Sequence, residues 1–346
     1  MNLHELLNQA VERQASDLHL SSGLPPFVRV HGSLQRLSQA PLASAQVLVL
    51  GQALMTPAQH GRWLAGEDID GALDQPGLGR FRFNAFSHHR GPGLALRPIP
   101  QALPSMDALR VPAVLGELCL RSSGLLLVTG PTGSGKSSTL AALLRHLLQQ
   151  QPGHLITIED PIEFIHSSDS ALIHQRELGT HTRDYSQALR SALREDPDVI
   201  MVGELRDLET VRLALTAAET GHLVLATLHT AGAAKTIDRL VDVFPGSDKE
   251  LVRTMLSQSL LGIVSQVLCE GRAGPRLAAH EVLVATPAVR HLIRENKVAQ
   301  LYSAMQTGSA SGMQTLEQSL SALVRQQLVS AEQARRQARN LDNMAL

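Results

Sequence analysis

The chain has 346 residues, of which 43% are hydrophobic and 18% charged; at roughly 150 residues per domain, two domains are expected. That apolar content can bury a core and excludes disorder over most of the length; aromatics are only 3%, so aliphatic side chains must build that core. Lys plus Arg (31) against Asp plus Glu (32) leaves a formal charge of -1, which supports no global grip on nucleic acid or anionic lipid and leaves only a local basic patch open.

Cys119 and Cys269 form no CxxC pair. A four-cysteine zinc module and a disulfide framework are therefore excluded, and a reducing compartment is expected. No apolar run approaches the ~20 residues that span a bilayer, and Met1-Asn2-Leu3-His4-Glu5 carries acid early with no basic n-region. A cytosolic protein is expected, or one peripheral to a membrane through a partner.

Leu3, Leu6, Leu7, Ala10 and Val11 recur at helical spacing and predict a helix over 2–15. Ser16-Asp17-Leu18-His19-Leu20 and Phe27-Val28-Arg29-Val30 alternate around the turn Gly23-Leu24-Pro25-Pro26, which predicts strand, turn and strand. Arg80 to Phe86 alternates most strictly, with Phe81, Phe83 and Ala85 on one face; Gly93 to Arg97 suits another strand. The first ~100 residues thus predict a small α+β domain with a mostly antiparallel sheet. Pro98, Pro100, Pro104 and Pro112 then mark a linker, and a second domain starts near Leu115. Near its end, Ser303 to Gly312 is small and polar and predicts a loop; the charged tail from Ala331, with Arg335, Arg336 and Arg339, is expected to fray.

The chemistry lies in the second domain. The apolar run Gly124 to Thr129 predicts a buried parallel strand. It leads into Gly130-Pro131-Thr132-Gly133-Ser134-Gly135-Lys136-Ser137, a GxxxxGK[ST] phosphate-binding loop, and then into the helical pattern Leu140, Leu143, Leu144, Leu147, Leu148. Glycines let backbone N–H groups approach phosphate, and the helix N-terminus adds partial positive charge. Lys136 is placed to neutralise the β and γ oxygens, and Ser137 to ligate Mg²⁺. With a strand before and a helix after, a chance glycine turn is set aside.

A second strand, His154 to Ile158, ends in Glu159-Asp160-Pro161-Ile162-Glu163. Alone, these carboxylates would be a solvated turn; at the carboxyl end of a strand in an open α/β sheet they lie where such sheets place ligands. A third strand, Asp198 to Gly203, ends in Glu204, the Walker B pattern. Glu204 is the candidate general base, an acid one strand over from the loop, with a structural pairing to Arg206 as a compatible alternative. A fourth strand, Leu223 to Thr227, lies between His222 and His229. No metal-ligand spacing accompanies them. His229 follows the strand, where it can donate to the γ-phosphate or sense its loss; for His222 a structural donor role stands equally.

Gly-Pro-Thr-Gly-Ser-Gly-Lys-Ser at 130–137, Ile-Glu-Asp-Pro-Ile-Glu-Phe at 158–164, Leu-Arg-Glu-Asp-Pro-Asp at 193–198, Val-Gly-Glu-Leu-Arg-Asp-Leu-Glu-Thr at 202–210, Thr-Ala-Ala-Glu-Thr-Gly-His at 216–222 and Thr-Leu-His-Thr at 227–230 follow one another in order. Together they resemble the secretion ATPase superfamily and, more narrowly, its type IV pilus retraction branch. Ala-Ser-Asp-Leu-His-Leu at 15–20, Gly-Leu-Pro-Pro at 23–26, His-Leu-Ile-Arg-Glu at 291–295 and Gly-Met-Gln-Thr-Leu at 312–316 extend the likeness over almost the whole chain.

The resemblance implies an α/β fold: an N-terminal PAS-like α+β domain over 1–100, a linker over 101–114, and a RecA-like P-loop ATPase core with a helical C-terminal part over 115–346. It implies a ring homohexamer that binds ATP and Mg²⁺ between its domains. By position, Gly130 to Ser138 take the phosphates: Gly130, Pro131, Thr132, Gly133, Ser134, Gly135, Lys136, Ser137 and Ser138. Ser137 and, through water, Glu204 take Mg²⁺, with Glu159 a further candidate. The implied catalytic set is Glu204, Glu163, His229, His222, Arg82 and Arg97. The two arginines face phosphate, where a guanidinium can contribute about 10³–10⁵ in rate; strand-face solvation is their plainer alternative.

Residues 288–295 match the family's C-terminal element for retraction, although its leading three residues differ. Implied partners are an inner-membrane pilus platform protein and the paralogous retraction ATPase, at the cytoplasmic face, with no nucleic acid and no membrane insertion. The accessory retraction paralogue and a pilus-assembly or type II secretion ATPase are rivals within the superfamily; the latter two usually carry a longer N-terminal region and the zinc module. A RecA-like nucleic-acid translocase is the rival from another class, disfavoured by near-zero charge and sparse aromatics. A regulatory module without motor work is a third.

Overall fold

Residues 2–30, 32–37, 40–99, 102–272 and 274–344 are described by the computed structural model, and contacts divide the chain into two units: Met1–Ala102 with Asp160–Ile165, and Leu103–Glu159 with His166–Leu346. The first holds α1 (Leu3–Glu12), β1 (Asp17–Ser21), β2 (Phe27–Val30), β3 (Ser33–Arg36), α2 (Ser44–Gln52), α3 (Pro57–Leu64), β4 (Ile69–Gln75), β5 (Gly79–His88) and β6 (Gly91–Pro98). Its sheet is antiparallel throughout, in the order β3-β2-β1-β6-β5-β4.

Alternation explains its single-sided core. Phe81, Phe83 and Ala85 of β5 and Leu94 and Leu96 of β6 turn to one face and meet Leu3, Leu6, Leu7 and Ala10 of α1. A capping box between Asn2 and Glu5 starts α1. The helix is shorter than its apolar spacing predicts, and Val11, expected on its buried stripe, is exposed; the chain leaves the helix one residue later, and Ala15 takes the core place.

The second unit contains α4 (Ala113–Leu118), β7 (Gly124–Thr129), α5 (Lys136–Gln150), β8 (His154–Glu159), β9 (Leu172–Glu177), α6 (Tyr185–Ala192), β10 (Val199–Val202), α7 (Leu208–Glu219), β11 (Leu223–Leu228), α8 (Ala233–Asp242), α9 (Lys249–Ser259), β12 (Leu260–Cys269), β13 (Leu277–Val284), α10 (Pro287–Arg294), α11 (Leu301–Thr307), α12 (Leu316–Arg325) and α13 (Ala331–Gln337). The strand order is β13-β12-β7-β11-β10-β8-β9. Every pairing is parallel except β12 with β13. This is the expected RecA-like α/β core.

Apolar runs without alternation are what a sheet covered on both faces requires. Leu125 and Leu127 of β7 enter a core with α6, α7, α8, α9, α10 and α11; Leu126 and Val128 enter another with α4 and α5. Pro98 closes β6 and Pro112 precedes α4, whereas Pro100 of the expected linker lies outside the described residues. Cys119 and Cys269 are buried in separate clusters. Burial pushes their thiols up to about 12 and about 11, far from a reactive thiolate.

Two expectations are corrected. The segment 303–312 is not a loop at its start: α11 runs to Thr307, because Leu301 and Met305, four apart, bury one face that the serines around them obscure. The tail does not fray at Ala331. Ser330 caps α13 by accepting from the Gln333 amide at 3.2 Å, Ala334 is buried, and the following residues are hydrogen-bonded to α12 and β13. Among the described residues no helix is long and apolar enough to cross a membrane.

Candidate active site

The turn from β7 into α5 is the phosphate-binding loop. Gly130, Gly133 and Gly135 adopt φ of +144°, +78° and +87°, a region closed to most side chains. A Cβ on Gly130 would lie 2.3 Å from the Gln266 carbonyl oxygen. Beyond Gly135, which caps α5, the first-turn amides lack intrahelical acceptors and carry the positive end of the helix dipole.

Lys136, the first residue of α5, is only 9% exposed. Its ammonium donates to the carbonyls of Gly130 at 2.9 Å and Pro131 at 3.0 Å. Ser137 is exposed on the first turn and Ser138 half-buried. The Ser134 hydroxyl is buried and makes no hydrogen bond among the described residues. Turned-up amides, an ammonium, an orphan hydroxyl and a serine at the helix start form a donor set that fits a triphosphate with Mg²⁺.

Sequence reading missed the loop's support. Gln266 of β12, 1% exposed, donates from Nε2 to the Ser134 carbonyl at 2.6 Å and accepts from the Thr139 hydroxyl at 2.9 Å. Its signal was a glutamine inside a largely apolar strand, where burial demands a partner.

Glu204 follows β10, but it is not one strand over. β11 lies between β7 and β10, and that inserted strand supplies the residue that joins the two ends. His229, just past β11, has Nδ1 3.2 Å from the Thr132 hydroxyl and 3.4 Å from the Lys136 ammonium. Its Nε2 is 3.3 Å from Glu204 Oε2. An ammonium can only donate, so Nδ1 accepts and the ring proton falls on Nε2, facing the carboxylate. The Thr227 hydroxyl donates to the Gly203 carbonyl, and the Leu205 amide donates to the Thr227 carbonyl at 3.0 Å. These bonds fix the chain on both sides of Glu204.

Arg206 Nη2 meets the same Glu204 oxygen at 2.7 Å, the pairing weighed from sequence. Burial works to raise the Glu204 carboxyl, but the hydrogen bond and charge of Arg206, with a smaller contribution from His229, outweigh it and hold the group below the usual carboxylate range. A depressed pKa keeps the base ionised as pH falls. Arg206→Ala should therefore shift the acid limb of the turnover–pH profile to higher pH, measured as kcat between about pH 4 and 8. An unmoved acid limb would show that Arg206 does not tune Glu204.

Other candidates lie elsewhere. His222 precedes β11, at the end of the sheet where β7 starts, its carbonyl accepting from the Gly124 amide at 3.1 Å. Six residues of strand, about 20 Å, separate it from His229. Its Nδ1 is 3.1 Å from the Ala217 carbonyl at the end of α7, so the structure places it as a helix-end donor, not among the phosphate-loop residues of this chain. Glu159 ends β8, three strand spacings or about 14 Å across the sheet from β7. Thr157 and Gln175 donate to its Oε1 at 2.6 and 3.0 Å. The structure thus groups it with them and not with Ser137. Two elements consecutive in sequence are not neighbours here.

Glu163, Arg82 and Arg97 belong to the first unit. Arg82 and Arg97 are cross-strand partners on β5 and β6. Arg82 pairs with Glu163 at 3.6 Å; Arg97 clasps Asp17 with Nε at 3.0 Å and Nη2 at 2.9 Å. In α10, Arg290 donates to the carbonyls of Ala285, Ser257 and Gln258 at 2.9, 2.6 and 2.5 Å, tying the helix to the end of α9 as a basic C-terminal cap does. Ala288, His291, Arg294 and Glu295 remain exposed.

A parallel sheet whose strand ends carry a glycine loop, a histidine and a glutamate defines a P-loop nucleoside triphosphatase. The chain belongs to the Type II/IV secretion system protein family, whose profile matches residues 1–273. It is 52% identical over 343 residues to the type IV pilus retraction ATPase PilT of Pseudomonas aeruginosa, covering 99% of this chain and 100% of that one. It is 51% identical over 321 residues to a twitching motility protein of Neisseria gonorrhoeae, covering 92% and 86%. A crystal structure of the pilus retraction motor PilT with bound ADP matches with a TM-score of 0.92 at 43% identity, covering 99% of each chain.

Proposed function

We infer that this chain is an ATPase that powers type IV pilus retraction and hence twitching motility. The full-length likeness to PilT carries the reading, and the joined Lys136, His229 and Glu204 supply the chemistry it needs. The substrate is ATP, with its phosphates on Gly130 to Ser138 and Lys136 neutralising the β and γ oxygens.

Ser137 would hold Mg²⁺, assisted through water by Glu204; when bound there, the ion would supply positive charge for the transferred phosphoryl group. Glu204 takes a proton from the attacking water, and His229, donating through Nε2, fixes the carboxylate and ties its state to Lys136. Arg82 and Arg97 contribute positive charge to the phosphates by exchanging their carboxylate partners, Glu163 and Asp17, for phosphate oxygens. Holding the Arg82 guanidinium until that exchange is then Glu163's part in the cycle.

The working assembly is a homohexamer on the cytoplasmic face of the inner membrane, acting on a pilus platform protein and alongside a paralogous retraction ATPase. Deleting the chromosomal gene tests this reading. Retraction predicts hyperpiliated cells that do not twitch, whereas bald cells would assign the chain to assembly.

A further inference from the structure

We propose that Arg339 is a positioning residue for hydrolysis: the segment after α13 is a strap that fixes, through Glu281, the start of α8 and so the turn that carries His229. The inference rests on His229 acting at Glu204 as read above.

Four contacts converge on the start of α8. Glu281 of β13 is 3% exposed. Its Oε1 accepts from the Ala233 amide, the first of α8, at 2.7 Å, and its Oε2 accepts from Arg339 Nη1 at 2.6 Å. The buried Ser265 hydroxyl accepts from the Gly232 amide at 2.9 Å and from Arg339 Nη2 at 3.3 Å. Gly232 has φ +112°, and a Cβ there would lie 2.5 Å from Arg339 Nη1. The guanidinium thus packs on the backbone three positions after His229. Within the same turn, the Thr230 and Thr236 hydroxyls are 2.7 Å apart, and Thr236 donates to the Gly232 carbonyl at 2.8 Å.

The strap is itself anchored. Glu317 of α12, 1% exposed, accepts from the Arg339 and Asn340 amides, each at 3.1 Å, and from the Tyr302 hydroxyl at 3.1 Å. Asn343 donates to Tyr302 at 3.0 Å.

A buried carboxylate needs a countercharge. Glu281 has the α8 N-terminus and one guanidinium, and that guanidinium comes from the far end of the chain. Without Arg339, Glu281 must turn toward water for its charge. That movement releases the Ala233 amide and loosens the turn that aims His229. Misaiming a group that orients the base lowers the chemical step and leaves phosphate contacts in place.

The test uses the full chain. Arg339→Ala should lower kcat about tenfold while KM for ATP moves less than about twofold. In a His229→Ala background it should cost nothing further, and Arg339→Lys, which restores a countercharge, should recover most of the loss. The thermal midpoint is followed in parallel. Should Arg339→Ala fail to fold, Glu281→Gln, which keeps an acceptor for Ala233 and weakens the hold on Arg339, is run through the same cycle.

An unchanged kcat, or an equal loss with and without His229, would overturn the strap and leave a purely structural ion pair. If His229→Ala alone retained full turnover, the reading of His229 at Glu204 would fail first and take the strap with it.

Discussion

Glu204→Gln should lower kcat for ATP by roughly 10²–10⁴, the usual contribution of a positioned general base, and leave ATP affinity within about threefold. The substitution is isosteric. The amide oxygen can still accept from Arg206 and from His229 Nε2–H, the partners that hold the carboxylate now at 2.7 and 3.3 Å. The side chain therefore keeps its place between the ends of β10 and β11, and only its capacity to take a proton is removed. A fall in kcat with a retained binding curve is the signature of an interaction made in the transition state. Turnover above about a tenth of wild type would mean that another group activates the water, and the base would have to be sought elsewhere.

What the sequence made legible follows from how local each feature is. The loop from Gly130 to Ser137 was readable because all its parts are contiguous, and the strands ending at Thr129, Val202 and Leu228 because a sheet covered on both faces writes unbroken apolar runs. Strand order is not local. Glu159 does end a strand, where open α/β sheets place ligands, yet β11 and β10 separate β8 from β7. The same insertion makes His229 the bridge between Lys136 and Glu204.

His222 and His229 look alike in sequence, as two histidines flanking one strand. A parallel strand has two ends, and only one faces the loop. Gln266, Glu281 and Arg339 were missed for a related reason. The side-chain partners of each lie 48 to 132 positions away, and nothing in a one-dimensional pattern pairs them. In the tail, the charge of Arg335, Arg336 and Arg339 suggested solvent, because sequence cannot show that Glu281 and Glu317 wait buried for Arg339.

Lys136→Ala should weaken binding and abolish turnover. Hydrogen bonds to charged groups contribute about 1.5–3 kcal/mol, so losing the ammonium at the β and γ oxygens should weaken ATP affinity by roughly 10- to 100-fold. The loss in kcat/KM should be larger, because phosphoryl transfer increases the charge that the ammonium neutralises. The geometry adds a second cost. Lys136 is the donor that keeps a proton off His229 Nδ1 at 3.4 Å; without it the ring can take the other tautomer and present a lone pair instead of a proton to Glu204. The two like-polarity groups would then repel, and the base would lose its fixed position as well as its substrate.

Lys136→Arg separates the two effects. It restores positive charge, but a planar guanidinium cannot occupy a site only 9% exposed and lined by the Gly130 and Pro131 carbonyls, so it should recover part of the affinity and little of the turnover. Titration of each variant with a fluorescent ATP analogue, beside steady-state hydrolysis, measures both quantities. ATP affinity within about twofold of wild type in Lys136→Ala would mean that this loop does not bind the phosphates, and the roles given to His229 and Glu204 would fall with it.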